Sequence, residues 1–213
     1  MSKPIDLTQA LRAQNGGPER RDAAANRARI LEVAEALFAE RGVEAVNMAE
    51  IAEEAGVGKG TLYRNFANKG ELCLTLLDSQ LREFQNEQLA RMRQQSEEGI
   101  PFLDQLGGFL EALVVFTDLH MPLLFVVQQD TPALDEREAQ RPRFWQYQTA
   151  YGLLRSAARA GELPKDFDSA YMAEALLAPL APQTFRFQLD VLGFDVARIA
   201  AGLNLILRGL GRL

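Results

Sequence analysis

The chain is nearly without the residue types on which most catalytic and metal chemistry depends: its 213 residues hold one cysteine, one histidine and one tryptophan. The single cysteine, Cys73, excludes an intrachain disulfide framework and a cysteine-cluster zinc site. Between Leu72 and Leu74 it reads as a small packing residue. The single histidine, His120, stands just before Met121-Pro122 and reads as a helix-end residue. A triad of His120 with Asp118 and Ser156 can be written down, but no spacing sets a nucleophile beside a base and an orienting acid. No His/Cys/Asp spacing suits a transition metal, and capping explains Asp168 better than a cation site with Asp166 and Glu162 does. No apolar run reaches the roughly 18 residues that a membrane span requires, and the opening MSKPIDLTQALRAQNGGPER has no apolar signal core. These absences lead to the expectation of a cytoplasmic protein that is not an enzyme, needs no cofactor and has no membrane partner.

What is present is ordinary for a folded chain: 47% hydrophobic and 24% charged residues, in a length that suits one large domain or two small ones. A net charge of −6 argues against a nucleic-acid partner until its distribution is considered. Residues 1–69 hold ten Lys/Arg and ten Asp/Glu, whereas residues 70–213 hold thirteen against nineteen and carry the whole deficit. The first segment also sorts its charges. Arg20, Arg21, Arg27 and Arg29 form one basic group, and Lys59, Arg64 and Lys69 form another. Glu50, Glu53 and Glu54 fall on a different element. A polyanion meets the local face, not the total.

Apolar periodicity predicts helices throughout. Ile30, Val33, Ala34, Leu37 and Phe38 recur at the spacing of one buried helix face, giving a first helix over about 22–41 that Gly42 ends. Asn47 with Glu50 three residues on is a capping-box spacing, opening a short helix over 48–55. Gly56 closes it, a third helix follows over 59–65, and Asn68 with Glu71 repeats the box to start a long helix over 69–94. Just beyond Pro101, Phe102, Leu106, Phe109, Leu113 and Phe116 form one apolar face and Leu103, Leu110 and Val114 another, as in a helix surrounded by partners. Pro122 and Pro132 read as breaks around LLFVV; further helices are expected over 136–160, from Asp168 to about 181, and over 195–210. No stretch alternates as a strand does and no internal repeat is visible. The expected fold is all-α, with nine or ten helices: an arm over 1–19, a three-helix domain over 20–68 and a larger helical domain over 69–213.

The segment VGKGTLYRNFANKGEL, from Val57 to Leu72, decides the function class. Two short helices joined through Gly56-Val57-Gly58 describe a helix-turn-helix, with Val57 and Leu62 as apolar pegs and the outer face of the second helix free for a major groove. That face offers Lys59, Thr61, Tyr63, Arg64 and Asn65, types that bond base edges or phosphate oxygens; Gly60 adds no side chain and permits close approach. Lys69 falls in the first turn of the next helix, a setting that suits phosphate.

IAEEAGVGKGTLYRNFANKGEL (51–72) resembles the signature of TetR-family transcriptional regulators, and RARILEVAEALFAERGVEAVNMAEIA (27–52) is similar to that family's first helix and its approach to the second. The resemblance covers residues 25–72 and fades beyond. It implies a DNA-binding head, a ligand-sensing helical body, a homodimer formed mainly through the last two long helices, and a double-stranded operator released by a small molecule. Lys59, Thr61, Leu62, Tyr63 and Arg64 match recognition-helix positions. Tyr63 and Lys69 match phosphate-contacting ones, and Arg27 lies where the first helix approaches the backbone. Gly58 departs from the Ser or Thr often found there, which implies a looser recognition helix.

In the body, Phe109, Phe116, Phe125, Trp145, Tyr147 and Tyr151 are the candidate walls of a pocket for a hydrophobic or aromatic effector. Core packing is the competing reading for each of them. Leu176, Leu180, Ile199, Leu203, Ile206 and Leu210 are the candidate dimer contacts, with Ala200, Ala201 and Gly202 allowing close approach. A dimeric regulator without an effector, or one that activates, and a helical interaction module that happens to carry a helix-turn-helix are the alternatives.

Overall fold

The computed structural model describes residues 18–130 and 141–211, so all but the last two residues of the expected arm over 1–19, and the break at Pro132, lie outside the described residues. Among those described there are nine α-helices, one 3₁₀ turn and no strand. The helices are α1 (Pro18–Arg41), α2 (Met48–Glu54), α3 (Lys59–Asn65), α4 (Lys69–Glu97), α5 (Phe102–Asp130), α6 (Arg141–Ala160), α7 (Ser169–Leu177), α8 (Pro182–Asp190) and α9 (Val196–Leu210). The fold is all-α, as the periodicity implies. The chain divides into two compact units, one ending at Leu72 and the other beginning at Cys73, within the first turns of α4.

The first unit is built from short, sharply punctuated elements. Helix α1 starts earlier than Asp22, with Pro18 in its first position, where the missing N–H costs nothing. Ile30, Ala34 and Phe38 are its buried stripe. Gly42 turns the chain at φ 83°. The Asn47 carboxamide then accepts from the N–H groups of Ala49 (2.9 Å) and Glu50 (3.1 Å), while the Glu50 carboxylate accepts from Asn47 N–H at 2.8 Å. This reciprocal cap fixes where α2 begins, and such a cap contributes about 1 kcal/mol. Ile51, Ala52 and Ala55 join the α1 stripe, with Leu62 from α3 and Phe66 just beyond it.

The second unit has a larger core centred on α5, which packs against α6, α8 and α9. Leu106, Phe109, Leu110, Leu113 and Val114 of α5 are all essentially inaccessible. By length and mean hydropathy Phe102–Val127 is apolar enough to cross a membrane, unlike what counting uninterrupted runs suggests. Its buried face is a core face of this unit, in contact with Ala150, Leu154, Leu203 and Leu207. Glu162 caps the start of α5 from across the chain, accepting from Phe102 and Leu103 N–H at 2.8 Å each, and Asp168 caps α7 through Tyr171 N–H at 3.0 Å. Those bonds account for two of the three carboxylates that might have gathered a cation. Among the described residues no three His, Cys, Asp or Glu are placed to hold a metal.

Two expectations are corrected. Pro122 does not break the chain; it lies inside α5. The i→i−4 bond it cannot make leaves the Asp118 carbonyl free, and Asp118 is exposed, so water can satisfy it. His120 is consequently mid-helix: it is buried, its Nδ1–H donates to the Phe116 carbonyl at 2.7 Å, and its ring stacks on Phe116 at 4.1 Å. The helix expected to about 181 ends at Leu177, where a 3₁₀ turn over Ala178–Leu180 follows, and α8 is missing from the expected elements; Pro182 opens it at its first position.

Candidate nucleic-acid interface

Helix α3 is held from behind and open in front. Leu62 is fully buried and Phe66, immediately after the helix, is fully buried as well. Gly56 makes the turn at φ 61°, and Val57 N–H bonds the Ala52 carbonyl at 2.9 Å, closing the end of α2. The opposite face of α3 presents Lys59, Gly60, Tyr63 and Arg64 to solvent, with Tyr63 52% exposed. Thr61 and Asn65 are half-buried at the edge: the Asn65 carboxamide donates to the Thr61 carbonyl at 2.8 Å, and Arg64 donates to the Thr61 hydroxyl at 3.2 Å. Gly58 offers α3 no side-chain cap, as the sequence implies.

Two cations named from the sequence as backbone contacts have partners within the unit. Arg27 reaches from α1 to the C-terminal end of α3, donating to the Asn65 carbonyl at 2.7 Å and lying 4.2 Å above the Phe66 ring. A guanidinium at the last carbonyls of a helix is favoured by both hydrogen bonding and the helix dipole. Lys69 donates to the Val43 carbonyl and lies over the Phe38 ring at 5.7 Å. An ammonium has three donors, so that bond leaves two. The acidic group on α2 is partly neutralised in place. Glu50 pairs with Arg41 at 2.8 Å, and its carboxyl is held below the ordinary range, first by the Asn47 N–H and then by Arg41; Arg41 is raised in turn.

In the second unit the six aromatics named for a pocket are distributed differently. Phe109 is buried in the core, and Trp145 meets both Phe109 (5.7 Å) and Phe84 (6.1 Å) edge-on. Phe84 also packs against Phe116 at 4.6 Å. Tyr147 and Tyr151 stack on each other at 5.9 Å, and Phe125 lies under Arg186. These rings chiefly fill space. A cavity of about 230 Å³ does exist, but only Phe116 of the six lines it; leucines, among them Leu74, Leu77 and Leu81 of α4, are the residue type that lines it most. The leucines of α4 are missing from the sequence reading because nothing local distinguishes a cavity wall from a core.

Of the six side chains named as dimer contacts, Leu176, Leu180, Ile199, Leu203 and Leu210 are buried in the core of their own chain, and Ile206 is 52% exposed. The large apolar residues left open nearby are Phe187, Val191 and Leu192 at α8 and Leu205 beside Ile206 on α9.

Comparison with known proteins agrees with this arrangement. Residues 30–76 match the family of bacterial regulatory proteins described as the tetR family. An HTH-type transcriptional regulator of Staphylococcus aureus (strain MRSA252) is 30% identical over 174 residues, spanning 80% of this chain and 86% of the relative. Among solved structures, a transcriptional regulator from Saccharomonospora viridis in complex with choline has a TM-score of 0.65 at 21% identity, covering 87% of this chain and 96% of that one. FadR from Thermus thermophilus, a TetR-family repressor in complex with lauroyl-CoA, has a TM-score of 0.63 at 24% identity, covering 88% and 95%. Both likenesses carry the fold. Regulators of this kind bind DNA and are not enzymes. With a buried-backed, cationic-fronted second helix in the matched segment and a relative aligned over most of both chains, the protein belongs to the TetR family of transcriptional regulators.

Proposed function

We propose that the protein is a cytoplasmic, homodimeric repressor that binds a palindromic operator through α3 and is released by a small apolar or aromatic effector held in its second unit. The observation that carries the DNA-binding part is the two-sided character of α3: Leu62 fully buried behind, Lys59, Tyr63 and Arg64 exposed in front. A seven-residue helix reaches few base pairs, so useful affinity requires two copies linked on two half-sites. In this reading Arg64 reads a base edge, Lys59, Thr61, Tyr63 and Lys69 bond phosphates, and Arg27 and Leu62 hold the helix. Asn65 steadies its C-terminal turn.

The open apolar residues of α8 and α9 support self-association. Ile206 and Gly202 lie one turn apart on α9 and, with Ile199 and Leu203, line a groove of about 290 Å³. A second copy of the same face would cover them. The leucine-lined cavity supports an effector, and α4, which runs from Lys69 through that cavity's wall, is the element able to couple the two. The test is selection of bound duplexes from a random pool. Recovery of a palindrome supports the reading, and release of it by a hydrophobic ligand supports repression. An unrelated mixture of duplexes, bound only at low salt, would refute it.

A further inference from the structure

The exposed face of α3 is unevenly prepared, and this inference rests on the proposal above that Arg64 reads a base edge. Of the three open side chains there, Lys59 and Tyr63 make no side-chain hydrogen bond among the described residues. Arg64 is held: its Nη2 donates to the Thr61 hydroxyl at 3.2 Å. Residues three apart are neighbours on a helix surface, and a long helical side chain leans back over the preceding turn, so this bond draws the guanidinium along α3 towards its first turn. Thr61 is itself seated from behind. Its carbonyl accepts from the Asn65 carboxamide at 2.8 Å, and the Asn65 carbonyl accepts in turn from Arg27 of α1 at 2.7 Å. A Cβ placed on Gly60 would meet nothing within 4 Å, so the first turn stays bare beside Thr61.

The structure assigns Thr61 as the positioning residue for Arg64, and the pair as the reader of one guanine in each half-site. The two kinds of DNA contact differ in what they need. A phosphate contact needs charge more than aim, and a lysine is a point charge on a flexible stem. A base contact needs a planar fork set against two acceptors, and guanine O6 and N7 are the pair that a guanidinium meets bidentately in the major groove. Holding the fork before DNA arrives removes part of the ordering cost of that contact. The bond to Thr61 uses one of five N–H donors and leaves four, enough for a two-pronged contact. A hydroxyl accepts on a lone pair and keeps its own hydrogen, so Thr61 can hold Arg64 and bond a phosphate at once. The register of α3 on the DNA backbone is thereby tied to the aim of the side chain that reads sequence.

The readout is discrimination: the ratio of the full chain's affinities for the selected duplex and for the same duplex changed at one base pair. Any uniform phosphate term cancels in that ratio. Arg64→Ala identifies the position, which should be G·C in the duplex the parent selects. At that position Thr61→Val, close to the parent in shape, should lower discrimination about two- to ten-fold, the range expected for one hydrogen bond. Thr61→Ser keeps the hydroxyl and should restore most of it. In the Arg64→Ala background, Thr61→Val should cost no further discrimination. Thr61→Val that weakens all duplexes alike, Thr61→Ser as poor as Thr61→Val, or losses that add in the double variant would overturn the positioning role while leaving Arg64 a base reader. A pair other than G·C at that position would overturn the guanine assignment. Arg64→Ala that relaxes no position would remove base reading itself, and this inference would fall with it.

Discussion

The two units treat their apolar side chains in opposite ways. In the first, the large apolar residues described are buried or half-buried apart from Tyr63, and what remains outward on α3 is Lys59, Arg64 and that one open aromatic. In the second, a well-filled core coexists with Phe187, Val191, Leu192, Leu205 and Ile206 left in solvent and with an apolar cavity inside. A surface that is polar where it meets its partner suits a polyanion. A surface that is apolar where nothing covers it suits another protein face, most simply its own copy. The difference teaches that charge balance over the whole chain, which is negative, says little about either partner.

The comparison can be broken most forcefully at α9. Leu205→Glu with Ile206→Glu places two charges on the open face without touching the buried one, so the chain should fold but sediment as a monomer. Operator affinity should then fall by about 10²-fold or more, the linkage between half-sites being lost; unchanged sedimentation would remove α9 from the interface. Next in size, Arg64→Ala should cost about 1–3 kcal/mol at one base position and relax preference there, measured by repeating the duplex selection with the variant. Uniform weakening across all sequences would show that Arg64 meets only phosphate.

Arg27→Met sharpens the first unit itself. If Arg27 acts by holding the end of α3, affinity should fall about ten-fold while the slope of log affinity against log salt stays that of the parent; Lys59→Ala should lower the slope by about one. A slope change for Arg27→Met would return that residue to the DNA backbone. Asn47→Ala removes the two bonds that the Asn47 side chain accepts in the α2 cap and should cost about 1 kcal/mol, seen as an earlier melting of the first unit.

The smallest effect concerns pH. Glu50 has a folded pKa below its unfolded value, so its contribution is complete above the unfolded pKa of about 4.3 and is lost as pH falls through the depressed folded value. Glu50→Gln should therefore be less stable than the parent at neutral pH, and the gap should narrow in acid. A gap that widens in acid would contradict the sign.

What could be read without coordinates follows the same division. The boundaries of α2 and α3 are written locally: Gly42, the Asn47–Glu50 box, Gly56 and the Leu62 peg lie within a few residues of the effects they cause. The contacts of Arg27 with Asn65 and of Lys69 with Val43 span 38 and 26 residues, and no local pattern announces them. In the second unit, α8 was illegible because Pro179 and Pro182 stand just before it and at its first position, and Phe185 is its one buried apolar side chain. The inward and outward faces of α9 were both apolar, so periodicity located the helix without saying which face met the core. The aromatics were conspicuous in the sequence, yet they pack on one another, and the cavity lies among leucines that looked like any core.

The most direct measurement is stoichiometry and affinity on the selected duplex beside the same duplex with one half-site scrambled. The account predicts two chains per intact duplex, half-sites about 34–36 Å apart, and a loss of about 10²-fold or more on scrambling. One chain per duplex, with the scrambled half-site bound equally well, would contradict it.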